Sequence, residues 1–349
     1  MPSSVIDLFC GIGGLTKGLE LAHLNVIAGI DIDESCRFAY ESNNNAQFIS
    51  GDVNEINIQK LTQLYPNGDT RILVGCAPCQ PFSKYTQRYR KKGGEDNKSR
   101  LLYSFSKIVD GVQPTVVSME NVPELASKQV FCDFVKHLQA NGYFCTWLVV
   151  YCPDYGVPQR RKRLVLLASL LGEINLIPVL YTPESYRTVR DAIGLLPPLR
   201  NGESDPNDVI HCCAKMSTIN LERIRQSVPG GTWADWDERL QLSCRKKHTG
   251  KSYSAVYGRM LWNEPSPTIT TQFYGYGNGR FGHPEQDRAL SYREGALLQS
   301  FPPDYIFVDG QYPFNRKELG VHIGNAVPVL LGKATGISIN RHLEEMGVK

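Results

Sequence analysis

From Val5 the chain repeats one pattern: a short apolar run, a glycine-containing turn, an amphipathic stretch, and another apolar run. VIDLF (5–9) leads into GIGG (11–14), an amphipathic run reaches Leu24, and VIAGI (26–30) ends at Asp31. RILVG (71–75), TVVSME (115–120), WLVVY (147–151) and RLVLLA (163–168) continue the series, with helical patterns over 101–110 and 129–140 between them. Parallel strands need long crossover connections, usually helices, so this alternation predicts an α/β fold: a doubly wound, mostly parallel sheet with helices on both faces. Ligands of such sheets bind beyond the carboxyl ends of the strands, and functional side chains are expected there.

The alternation ends near Pro178, where proline-containing turns and aromatics mixed with basic residues take over. The expected organisation is a first domain over 1–180, a smaller irregular domain over 181–315, and a segment over 316–349 that returns to the first domain. Helical periodicity reappears from Asn325 to Met346, with Val327, Leu330, Leu331, Ala334 and Ile337 on one face and Pro328 in the first turn. Ten scattered cysteines in 349 residues, with no secretory leader, read as reduced thiols. The longest apolar stretch, near 164–171, is too short to span a bilayer, so a soluble, cytoplasmic protein without a membrane partner is expected.

The net charge of +3 is too small to indicate a partner, but basic residues cluster. Lys84, Arg88, Arg90, Lys91, Lys92, Lys98 and Arg100 form one run, Arg160 to Arg163 a second, and Arg245, Lys246, Lys247 and His248 a third. A single run of this kind is usually a solvated surface. Two of them adjoin segments with reactive side chains: Cys79 in GCAPCQPFS (75–83), and Glu120 in ENV (120–122) followed by QRRKR (159–163). A thiol, a carboxyl group and guanidinium groups suit the addition of carbon to an electron-poor pyrimidine. A thiolate from Cys79 would add to ring position 6 while Glu120 protonates N3. The thiol, whose unperturbed pKa is about 8.5, would need activation by nearby positive charge, of which Arg161 and Arg163 are a source, by a helix terminus, or by proton transfer coupled to attack.

Gly11, Gly13 and Gly14 at the first strand end allow a sharp turn and close approach of a ligand to backbone. The dinucleotide fingerprint would need glycine where Thr16 stands, which argues against pyrophosphate. Asp31, ending the second strand, is placed to accept from ribose hydroxyls, and Asp52 in GDV (51–53) could meet an adenine amino group. Each aspartate could equally be a solvated turn residue.

In order along the chain, DLFCGIGG (7–14), Asp31, GDV, GCAPCQPFS, ENV, QRRKR, EPSPTITT (264–271) and GNAVP (324–328) resemble the cytosine-5 DNA methyltransferase family, which uses S-adenosylmethionine (AdoMet). The stretch between about 180 and 258 carries no match. The resemblance implies methyl transfer to C5 of a flipped-out cytosine in duplex DNA, with 181–315 as the target-recognition domain. It implies that Cys79 is the nucleophile and Glu120 the acid, with Arg161 and Arg163 ordering the pocket. Phe9, Gly11, Gly13, Gly14, Asp31, Ile32, Asp52, Val53, Pro78, Leu101, Asn325 and Ala326 would surround the cofactor, and no metal is implied. Gln80, Ser83, Lys84, Arg88, Arg90, Arg245, Lys246 and Lys247 would contact DNA, and residues 84–100 have the composition of a loop that closes over it. Cys10 stands where the family often has a smaller residue, and Ile32 where some members place an aromatic against the adenine.

The compact layout resembles prokaryotic modification enzymes, which implies a partner restriction endonuclease and a monomer. Three alternatives are open on the sequence. Cys76 and Cys79 spell C-x-x-C, a redox or half-zinc pattern, but that reading leaves ENV and QRRKR without a role; Cys76 is then a packing residue. A transfer-RNA branch of the family tends to have threonine where Ser83 stands and a shorter recognition region. A catalytically silent DNA-binding protein would not need every catalytic position intact.

Overall fold

The computed structural model describes residues 2–78, 100–242, 255–310 and 314–348. It divides into two compact units: Met1–Tyr155 with Lys162–Leu180 and Val327–Lys349, and Gly156–Arg161 with Tyr181–Ala326. The chain therefore leaves the first unit twice. The short excursion takes the first half of the QRRKR segment, and the long one runs to Ala326, beyond residue 315.

In the first unit the described residues build one seven-stranded sheet. Its strands are β1 (Ser3–Leu8), β2 (Asn25–Asp31), β3 (Gln47–Ser50), β4 (Thr70–Gly75), β5 (Val116–Asn121), β6 (Phe144–Tyr151) and β7 (Lys162–Ser169). The order is β3-β2-β1-β4-β5-β7-β6, with β1 to β5 parallel and β7 antiparallel to both neighbours. Helices α1 (Gly14–Leu21), α2 (Arg37–Asn43), α3 (Ile58–Gln63), α4 (Arg100–Val112) and α5 (Gln129–Ala140) make the crossovers. β1 and β5 are buried along their whole length, as central strands covered on both faces must be. Ile6, Leu8, Leu73, Val117 and Leu166 pack with Phe105, Phe131 and Phe134 in one core.

The order reverses direction between β1 and β4, the switch point at which α/β sheets open a crevice. The loop after β1, the end of β4 and the end of β5 all emerge at the carboxyl edge. Antiparallel β7 brings its amino end to that same edge, with Asn121 opposite Leu164 in the register. The expected doubly wound sheet is present with one reversed strand, and this reversal places Lys162 and Arg163 beside the end of β5.

The second unit holds α6 (Val189–Ile193), α7 (Thr218–Gln226), α8 (Tyr292–Leu298) and α9 (Arg316–Asn325), joined by loops and isolated bridges. With so little sheet, side chains satisfy much of its backbone. Buried Arg259 donates to the carbonyls of Ile224, Ser227, His283 and Gln286 and pairs with Asp287. Arg288 forks onto both oxygens of Glu294 at 2.7 Å. Burial alone would raise the Glu294 carboxyl, yet these bonds hold it down at about 2.

The last helix, α10 (Val329–Glu345), returns to the first unit and crosses α1 at glycines. Leu330 and Ile337, expected on its apolar face, are only half-buried, whereas Gly332 and Gly336 are buried. A Cβ at Gly18 would lie 2.3 Å from the Val329 carbonyl oxygen, a clash with backbone that no rotamer relieves. Gly18→Ala gains about 1 kcal/mol in helix propensity and loses more through overpacking, typically 1–3 kcal/mol or beyond. The expected outcome is a lower thermal midpoint than wild type in differential scanning calorimetry; an unchanged or raised midpoint would contradict this helix contact.

Candidate active site

The cofactor-side residues gather where β1, β2 and β3 end. Phe9, half-buried against the core, takes a left-handed backbone (φ 60), and Gly13 does the same (φ 84) as the residue preceding α1. Such a conformation costs a non-glycine residue energy, and at Phe9 it turns the chain out of β1. Asp31 fixes the turn that follows. Its Oδ2 accepts from Gly11 N at 2.8 Å, its Oδ1 from Asp33 N at 2.9 Å, and its own carbonyl from Gly51 N at 2.9 Å.

Asp52 Oδ1 accepts from the backbone and side chain of Asn54 at 2.9 and 2.7 Å, and Val53 is buried beneath it. Ile32, next to Asp31, is 68% exposed. Gly13, the residue preceding α1, has no side chain with which to cap the helix's first N–H groups. Leu101 lies half-buried in the first turn of α4, and Pro78 is exposed at the end of the β4 loop. Asn325 and Ala326 end α9 in the second unit, with Asn325 exposed. The carboxylate and the left-handed turns fit the ribose and amino-acid portions of AdoMet.

Under this loop lies a group the sequence did not single out. Asp7 is fully buried in β1, and its Oδ2 accepts from Thr16 Oγ1 at 2.7 Å, which also contacts Tyr40 Oη at 3.1 Å. Among the described residues its Oδ1 has no hydrogen-bond partner. Burial, opposed by the Thr16 bond and reinforced by the charge of Asp31, pushes this carboxyl up to about 7.

Cys76, Glu120 and Arg163 come together at the ends of β4 and β5. Arg163 Nε stands 2.7 Å from Glu120 Oε1, with both side chains largely buried, while Arg163 Nη1 donates to the Lys162 carbonyl at 2.8 Å. Oε1 has no aligned hydrogen bond among the described residues, so the contact is an ion pair. Oε2 accepts from the Cys76 thiol at 2.9 Å. Asn121 ties the two strand ends together: its Nδ2 donates to the Ala77 carbonyl at 3.0 Å and its Oδ1 accepts from Val122 N at 2.9 Å.

Arg161 is used differently. It is buried in the second unit, where Nη1 donates to the Ile269 carbonyl at 3.0 Å and Nη2 to the Gly324 carbonyl at 3.3 Å. Gln159 accepts from Ile269 N at 2.9 Å, Thr268 Oγ1 donates to the Arg160 carbonyl at 2.7 Å, and Arg160 pairs with Glu264 at 2.9 Å. Three segments distant in sequence, QRR, EPSPTITT and the start of GNAVP, are thereby laced together. Cys79, Gln80, Ser83, Lys84, Arg88, Arg90, Arg245, Lys246 and Lys247 lie outside the described residues. Every described cysteine is a free thiol. Burial raises Cys10 and Cys76 well above the ordinary thiol range, the opposite of what a nucleophile needs.

Asp7 supplies a pH test. Its folded value of about 7 lies above the ordinary 3.8, so the native state holds this proton more tightly than the unfolded chain. Linkage gives the Asp7 contribution its full value below about pH 4 and removes it as pH rises through about 7. Asp7→Asn, which does not titrate, is expected to gain stability relative to wild type between pH 5 and pH 8 in denaturant titrations; a difference independent of pH would contradict the assignment.

Residues 3–341 match the sequence model of C-5 cytosine-specific DNA methylases. The chain is 53% identical over 348 residues to the type II methylase M.HgiDII of Herpetosiphon aurantiacus, covering 99% of this chain and 97% of that one. It is 30% identical to the type II methyltransferase M1.BsuMI of Bacillus subtilis, over 93% of this chain and 77% of the relative. A solved E. coli prophage-encoded structure, described as a DNA modification methyltransferase, superposes with a TM-score of 0.73 at 21% identity, over 98% of this chain and 99% of the other. Among the described residues no helix is long and apolar enough to cross a membrane. Spanning the chain almost from end to end, the match establishes that this protein belongs to the C-5 cytosine-specific DNA methylase family.

Proposed function

We propose that this AdoMet-dependent DNA (cytosine-5-)-methyltransferase acts through Cys79 as nucleophile and Glu120 as proton donor to N3, with Arg163 holding Glu120 in place. The observation that carries this reading is the Arg163–Glu120 ion pair, 2.7 Å long and buried at the carboxyl edge of the sheet. With Cys79 as thiolate and Glu120 taking up a proton when the base is bound, the sulfur forms a bond to C6 of the extruded cytosine while the Glu120 proton moves to N3, which turns the ring into an enamine with a nucleophilic C5. Arg163 stabilises the carboxylate that this transfer leaves behind, an interaction worth more as charge develops than before it. When bound, AdoMet supplies the electrophilic methyl carbon that C5 takes. Loss of the C5 proton to a base then breaks the S–C6 bond, Cys79 departs as thiolate, and the N3 proton is returned.

Phe9, Asp31, Ile32, Asp52 and Val53 would orient the adenosine, and Gly11, Gly13 and Gly14 would let the amino-acid tail approach backbone. Pro78, Leu101, Asn325 and Ala326 would wall the methyl end. Arg161 acts as a positioning residue for the loops it joins. Flipping the base out of a duplex costs a few kcal/mol, which basic residues 84–100 closing over the DNA would offset, with Gln80 and Ser83 on phosphates. The second unit, with Arg245, Lys246 and Lys247, would read the target sequence. Relatives named as type II methylases support a modification role; its setting would be a cytoplasmic monomer acting beside a restriction endonuclease.

Bisulfite sequencing of a plasmid carrying the gene is expected to show protected cytosines at one recurring sequence, and none with Cys79→Ser. Glu120→Gln is expected to lower turnover by at least about 100-fold, since an amide cannot donate to N3. Wild-type protection by the serine variant, or normal turnover by the glutamine variant, would overturn the assignment.

A further inference from the structure

We propose that Cys76 is a positioning residue for methyl transfer: its thiol donates to Glu120 Oε2 and fixes the orientation in which that carboxyl meets the base. The inference deepens the reading above and rests on its assignment of Glu120. Arg163 alone does not set that orientation. It approaches Oε1 as an ion pair without an aligned hydrogen bond, and a carboxyl held at one oxygen can still turn about its terminal torsion. The thiol at 2.9 Å supplies the second point.

Its own backbone is held from two sides. Cys76 N donates to the Leu8 carbonyl at 3.3 Å, and the next residue's carbonyl accepts from Asn121 Nδ2 at 3.0 Å, so the end of β4 is tied to both β1 and β5. The sulfur also remains a donor at neutral pH. Burial, and after it the charge of Glu120, keeps the proton on the thiol. A side chain present only to fill space would need no polar partner, and Ala77 beside it has none to offer. The two cysteines of the C-x-x-C pattern thus divide the work: one donates a hydrogen bond, the other attacks carbon.

Three substitutions separate the donor from the volume. Cys76→Ser keeps a donor and loses size, Cys76→Val keeps size and loses the donor, and Cys76→Ala loses both. With full-length protein, unmethylated plasmid DNA and tritiated AdoMet, Val and Ala are expected to lower kcat about tenfold, the scale of one charge-assisted hydrogen bond, with AdoMet KM unchanged. Ser is expected to retain at least half of wild-type kcat. Wild-type kcat in the valine variant, equal impairment of all three, or a change confined to AdoMet KM would overturn the proposal. Cys79→Ser, run alongside, distinguishes the failures: if it still methylates, the reading of the reaction falls; if it is dead while valine matches wild type, only the Cys76 inference falls.

Discussion

The pairing of Arg163 with Glu120 is the interaction on which the rest depends, and it exists because one strand runs backwards. Were β7 parallel to β5, Arg163 would emerge at the amino edge of the sheet, a strand length from Glu120. Running antiparallel between β5 and β6, it starts where β5 ends, and its second residue meets the carboxyl group. Two largely buried charges are costly to desolvate, and removing one partner of such a pair typically costs 3–5 kcal/mol. The pair is therefore weak evidence for stability.

The short excursion of the chain between β6 and β7 also explains why QRRKR serves two purposes. Residues up to Arg161 belong to the second unit and bind its carbonyls; Lys162 and Arg163 begin β7. One pentapeptide thereby contributes a buried loop clasp and the partner of the Glu120 carboxyl. Arginine suits both tasks, since its planar fork satisfies several carbonyls in one case and a carboxylate in the other.

Much of the first unit was legible in the sequence because fully buried strands read as apolar runs and their crossover helices as amphipathic ones. Strand direction was not. RLVLLA has no periodicity that distinguishes parallel from antiparallel, so the reversal of β7 came only from the structure. The α1–α10 contact was hidden for a related reason: Gly18, Gly332 and Gly336 contribute closeness, not hydrophobicity, and a hydrophobic pattern points past them to Leu330 and Ile337. Asp7 and Cys76 were masked by their surroundings. Asp7 lies within an apolar strand and Cys76 just past the end of one, and what gives each its character is a residue outside that strand, Thr16 or Glu120. In the second unit, Arg161 belonged to a basic run that suggested anionic surroundings, yet its described partners are carbonyl oxygens and Gln159.

The most direct measurement is to trap the enzyme on duplex DNA containing 5-fluorocytosine, digest the complex, and locate the modified residue by mass spectrometry. At C5 the fluorine cannot leave as a proton does, so the bond from sulfur to C6 persists. The account predicts a single crosslink at Cys79, with Cys76 unmodified and recovered as a free thiol. A crosslink at Cys76, or an active enzyme that forms none, would contradict it.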